Sequence, residues 1–257
     1  MESFVAMLIL AIVQGISEWF PISSSGHLVL VSHIIGYDNT LAFDLALHFG
    51  TLMAVFVYFG KEITDIARAF LSLRFQSIEG KMGLFILVAS IPAAIFGFAF
   101  HGIVEAYVNN LGLLSLGLAT TGLLLLIGSM DVSRTRKLGF GVAFLIGCAQ
   151  VASLFRGVSR SGTTIASALL LGLDEKTALR FSFLLSIPVI LGANLLELGS
   201  TPLPSEYFWA ALVSFAVGLA TIHLLLKVVL TRKKNLRWFA LYILLVALGL
   251  GAYELLG

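Results

Sequence analysis

Charge is scarce in this chain. Lysine, arginine, aspartate and glutamate make up 12% of its 257 residues, roughly half the share of about 25% usual in soluble domains. With 59% hydrophobic residues and a mean hydropathy of +1.02, there is too little polar surface for a soluble globule, so an integral membrane protein is expected. Strict alternation is missing as well. The apolar segments run on for about 20 residues, which excludes the strands of an outer-membrane barrel and suits spanning helices. Cysteine is scarcer still: Cys148 stands alone, which rules out an internal disulfide and a cysteine-built metal cage. No excess of one sign exists either. The net charge of +2 comes from short loops, so it reports topology and no nucleic-acid partner is expected. The first apolar segment lacks a basic n-region and a small-residue cleavage site, and is read as mature structure.

What the chain does have is an internal repeat. Laying Gln14 on Gln150 also lays Ser17 on Ser153, Ser23 on Ser159, Ser25 on Ser161, Gly26 on Gly162, Gly36 on Gly172 and Asp38 on Asp174. Each copy, about 4–60 and 140–199, sets a polar, glycine-containing loop inside apolar sequence. Residues 4–20 are interrupted by Gln14, Ser17 and Glu18 and closed by Pro21, and the apolar run at 28–36 is too short to cross a bilayer. The second copy repeats the pattern at 138–155 and 164–173. Both are expected to be re-entrant helix–loop–helix hairpins. Full spans are expected near 41–60, 84–101, 111–130, 180–199, 207–227 and 237–256.

Basic residues cluster at 61–83, at 131–137 and at 227–237 (Lys61, Arg134 and Arg232 among them), and are absent from 102–110 and 200–206. The first three loops are therefore expected in the cytoplasm and the last two outside. The crossings close only if the two hairpins enter from opposite faces, with tips near the midplane. The expected fold is thus one all-α polytopic membrane domain over 1–257, with an inverted-topology repeat, two re-entrant hairpins, six transmembrane helices and both termini outside the plasma membrane. Inverted repeats place sites at the repeat interface.

The tips carry the chemistry. Glu18 follows Gln14 by one helical turn, so the two share a face, and a carboxylate at that depth normally marks a site. Ser23, Ser24 and Ser25 offer hydroxyls and N–H groups before an apolar helix, where anions bind, although taken alone a plain serine cap is the better reading. His27 can act as acid, base or nucleophile. In the second tip Arg160 lies between Ser159 and Ser161, and a guanidinium holds phosphate through a bidentate fork. Thr163 and Thr164 add hydroxyls, and Arg156 stands near. Asp44 and His48 share a face near the outer end of the 41–60 span, as do Asn194 and Glu197 on 180–199; lining the cavity mouth and bonding between helices are equal readings. A carboxylate, a hydroxyl cluster, a histidine and an arginine converging in lipid suit phosphoryl transfer from an amphiphile.

Gln14-x-x-x-Glu18 with Pro21-x-Ser23-Ser24-Ser25-Gly26-His27, together with Gly157-Val-Ser159-Arg160-Ser161-Gly162-x-Thr164, resembles the bacitracin-resistance-type undecaprenyl-diphosphatase family. The likeness runs over nearly the whole chain, including Arg180–Pro188. It implies dephosphorylation of a C55 isoprenyl diphosphate to the monophosphate, renewing the lipid carrier of cell-wall glycans. It also implies that Glu18 is the essential acid, Ser24 a candidate nucleophile, His27 a catalytic histidine and Arg160 the phosphate ligand. Gln14, Ser23, Ser25, Ser159, Ser161 and Thr164 are expected to bind substrate. A divalent cation, magnesium or calcium, is the implied cofactor. Two departures stand out: many members have glutamate where this chain has Gln14, and proline where it has Arg156. With one carboxylate at the tip, a cation is expected to bridge Glu18 and the diphosphate. Whether Ser24, His27 or water attacks is open. The alternative function is a polyprenyl-phosphate transporter or flippase using the same pocket. Gly112, Gly117 and Gly122 hint at close helix packing, and a homodimer is an expected partner.

Overall fold

The computed structural model describes residues 3–100, 110–130, 136–198, 204–229 and 233–256. Among them are eleven α-helices and no strand. Six are long and apolar enough to cross a membrane: α3 (Leu41–Tyr58), α5 (Ile78–Ala99), α6 (Leu111–Gly128), α9 (Glu175–Leu198), α10 (Tyr207–Val229) and α11 (Leu236–Leu256). Four are short: α1 (Ser3–Ser17), α2 (Ser24–Ile35), α7 (Phe140–Gln150) and α8 (Arg160–Leu170). At 1.5 Å per residue even α1, with 15 residues, falls short of a hydrocarbon core about 30 Å thick. The protein is a polytopic all-α membrane protein.

The remaining helix, α4 (Gly60–Leu71), lies where only a basic loop was expected over 61–83. Its sequence explains it: Ile63 and Ile66 pack against the core, while Lys61 and Arg68 face outward and pair with Asp65. A one-sided apolar stripe among charges is an amphipathic helix, which a charge count alone reads as loop. Glu62 of α4 pairs with Arg180 of α9. Arg134, Arg232 and most of the expected outer loops at 102–110 and 200–206 lie outside the described residues.

Packing exchanges helices between the halves. α1 packs on α10 and α7 on α5, so the leading helix of each short pair is held by a span from the other half; α3 packs on α10 and α9 on α5 in the same way. Both tips feed one core. Trp19 from the first shares this core with Ile165 and Ala168 from α8 and Phe183 and Leu184 from α9, with the Trp19 and Phe183 rings edge to face at 5.4 Å. The glycines on α6 that hinted at close helix packing do sit at close contacts: a Cβ at Gly112 would strike the Glu254 carboxylate, at Gly117 the Arg156 carbonyl, and at Gly122 Leu244.

Candidate active site

Each short pair turns over at a serine that caps its return helix. Ser23 Oγ accepts the Gly26 N–H (3.3 Å) and Ser159 Oγ accepts the Gly162 N–H (3.0 Å). The capped helices begin at Ser24 and Arg160, which are equivalent positions in the repeat. Their positive ends therefore meet with a hydroxyl on one and a guanidinium on the other. The copies differ in strain. Ser23 sits at φ 71°, whereas Ser159 is extended at φ −68°; a non-glycine residue in that region is held there by its surroundings.

The two helix starts converge on Glu18, which is 7% exposed. Ser24 Oγ donates to Glu18 Oε2 at 2.7 Å, and Gln14 Nε2 donates to the same oxygen at 3.1 Å. Arg160 forms an ion pair with Oε1. Ser161 Oγ donates to the Phe20 carbonyl at 3.3 Å, joining tip to tip. The Arg160 guanidinium also lies over the Trp19 ring, 5.7 Å from its centroid. Its Nη1 is buried without a hydrogen-bond partner, as is Nδ2 of Asn194.

These groups floor a cavity of about 890 Å³, within the range of about 300–1,000 Å³ for small-molecule sites. Glu18, Ser23, Ser24, Ser25, Ser159, Arg160 and Ser161 line it, so seven of the ten residues expected to catalyse or to bind substrate share one pocket. Its walls are apolar, with Leu41 and Leu45 from α3, Leu113 and Leu116 from α6, and Val189 and Ile190 just past Pro188 in α9.

Three expected residues stand elsewhere. Gln14 is fully buried behind Glu18. Thr164 is fully buried and bonds Ser182 Oγ at 2.6 Å and the Arg160 carbonyl at 2.9 Å; its hydroxyl holds helices together and does not reach the cavity. His27 faces away. Its Nδ1 lies 2.8 Å from the Ser23 carbonyl and its Nε2 2.8 Å from the Tyr242 hydroxyl. A carbonyl only accepts, so Nδ1 carries the proton and Nε2 accepts from Tyr242. The equivalent Thr163 makes the same bond, from Oγ1 to the Ser159 carbonyl at 2.8 Å.

The histidine on the cavity is His48. Its Nδ1 donates to the Asp44 carbonyl (2.8 Å), which leaves Nε2 facing the pocket 3.6 Å from Glu18 Oε2. Asp44 lines the cavity too, with Arg156 Nη2 3.9 Å from its Oδ2. In the sequence only the helical spacing of Asp44 and His48 pointed this way. Asn194 also lines the cavity, whereas the Glu197 side chain lies outside the described residues. Nothing here forms a metal cage. Among the described residues no three histidine, cysteine, aspartate or glutamate side chains cluster to hold an ion, and both Glu18 oxygens already have partners.

The family profile described as "Bacitracin resistance protein BacA" matches residues 7–249. A protein named undecaprenyl-diphosphatase from Thermosipho melanesiensis is 40% identical over 246 residues, covering 94% of this chain and 96% of its own. One of the same name from Thermosipho africanus is 37% identical over 245 residues with the same coverage. Another from Korarchaeum cryptofilum is 38% identical over 255 residues, 95% of this chain and 96% of its own.

Proposed function

The chain belongs to the BacA family, and from that premise we infer that it hydrolyses undecaprenyl diphosphate to the monophosphate and inorganic phosphate. The observation that carries this reading is the Glu18 carboxylate clasped between the Ser24 hydroxyl and the Arg160 guanidinium across the two tips. A nucleophile already bonded to its base, beside an anion ligand in one pocket, is what phosphoryl transfer requires. A flippase needs no nucleophile and base, and the relatives' names give that alternative no support.

In the proposed reaction the diphosphate enters head first. Arg160 Nη1 and Asn194 Nδ2, both buried without partners, take phosphate oxygens, and the prenyl chain lies along the leucine and valine wall. As the phosphate draws Arg160, its hold on Glu18 loosens and the carboxylate is free to take the Ser24 proton. Ser24 Oγ attacks the terminal phosphorus, the bond to the bridging oxygen breaks, and undecaprenyl phosphate leaves as its anion. Water then attacks the phosphoserine with His48 Nε2 as base, and the Glu18 proton returns to Ser24 as phosphate departs. His27 is a positioning residue that holds the Ser23 carbonyl and so the start of α2. The residues present do not form a cage for a divalent cation; we propose that such an ion enters on the diphosphate oxygens, and no step above runs through it. The hairpins are proposed to enter from opposite faces, with the cavity open to the outside, since it is lined by the starts of α3 and α6 and the late turns of α9. Purified protein given undecaprenyl diphosphate should release one phosphate per lipid and, on acid quenching, carry phosphate on Ser24. Lipid binding without phosphate release would overturn the assignment.

A further inference from the structure

A second cavity, of about 470 Å³, abuts the first. Ser25, Leu41, Asp44 and Arg156 line both. Beyond that shared boundary its walls turn more polar: Ser32, His33, Asp38, Asn39 and Asn110 stand beside Leu28, Val29, Leu111 and Leu114. His33, Asp38 and Asn110 are exposed, so the cavity reaches from the protein surface to the Asp44–Arg156 pair. It touches the reaction cavity at Ser25, next to the attacking hydroxyl.

The reaction has two products of opposite character. The prenyl phosphate belongs in the bilayer, whereas inorganic phosphate is a small dianion that cannot leave along an apolar wall without losing its hydration. Water must also come in. We propose that the second cavity is the aqueous route for inorganic phosphate out and water in, separate from the lipid route, with Arg156 as the anion ligand at its threshold. This rests on the phosphatase reading. Arg156 supplies the guanidinium that phosphate prefers, and Ser25 supplies a hydroxyl. Asp44, 3.9 Å from Arg156, competes for the same guanidinium, so phosphate is drawn through without being trapped; a pathway site must bind weakly enough to let its ion go. The serine, asparagine and aspartate along the second cavity offer hydrogen bonds to a hydrated anion and nothing to a prenyl chain. Two exits with different solvents leave the next lipid free to enter without waiting on the phosphate.

The test blocks the polar route after folding. Ser32 is clear of the reacting groups, its hydroxyl bonding only the Val29 carbonyl of its own helix (3.0 Å). Ser32→Cys in a Cys148→Ser background is expected to turn over like the original protein. A bulky methanethiosulfonate coupled to that cysteine should then lower steady-state turnover about tenfold or more by making product release limiting. A first burst of one prenyl monophosphate per enzyme should persist. A small methyl reagent at the same position should do little. Fully modified enzyme turning over at the unmodified rate would overturn the route, as would a burst lost in step with turnover. An unmodified protein with no turnover at all would instead overturn the phosphatase reading.

Discussion

Ser24 and Arg160 hold the same place in the two copies of the repeat, and their difference in chemistry sets a hydroxyl and a guanidinium on either side of Glu18. Because Glu18 is buried and Arg160 nearly so, each depends on the other. Arg160→Ala is expected to destabilise the protein by about 3–5 kcal/mol, since it leaves a carboxylate without its counter-charge, and to lower turnover by about 10³-fold or more. Glu18→Gln with Arg160→Gln should recover the thermal stability and none of the activity; a double variant no more stable than the single one would refute the coupling. The two histidines should separate by the step they affect. With Nε2 open to the pocket, His48→Gln should cost about 10²–10⁴-fold in turnover and let the phosphoserine accumulate, because its hydrolysis then lacks a base. His27→Gln should lower turnover without that accumulation, because its Nε2 is bonded to Tyr242. The reverse pattern would return the proton transfer to His27.

At the scale of elements, the loop before α8 is set by close contact. Gly157 stands at φ 86°, and a Cβ there would come 2.5 Å from the Leu114 carbonyl. Thr121 fastens the same turn, donating to the Gly157 carbonyl (3.0 Å) and accepting the Ser159 N–H (2.8 Å). Gly157→Ala should therefore cost about 1–3 kcal/mol of strain and push Ser159 and Arg160 off α6, with activity falling further than stability. Gly141→Ala, whose Cβ meets nothing within 4 Å, is the matched control and should leave both unchanged. Equal losses in the two variants would deny the loop its special fit.

The whole molecule raises the question of sidedness. Lys137 lies in a basic stretch and Leu256 at the opposite terminus of α11, so the charge pattern puts them on different faces. In a Cys148→Ser background, a membrane-impermeant maleimide added to intact cells should label Leu256→Cys and spare Lys137→Cys. Labelling of Lys137→Cys alone would reverse the orientation and turn the cavity mouth inward.

Six spanning helices and four short ones were legible in the sequence because hydrophobic run length is a local property, and the serine caps because capping reads only three residues ahead. Helix α4 was missed because its apolar stripe is thin among charges. The repeat singled out both tips, and Glu18, Ser24 and Arg160 with them, since polar groups inside apolar sequence are conspicuous on their own. Local spacing could not decide which histidine faces the cavity. His27 lies nearer the motif in the chain, yet the turn that places its Nδ1 on the Ser23 carbonyl swings its ring towards Tyr242, a residue from the last helix. His48, from a helix beyond the hairpin, is brought round to Glu18 instead. Which tip residues were candidates followed from composition and pattern; which of them meet, and that His48 joins them, depended on how two halves of one chain pack across each other, a property no window of sequence contains.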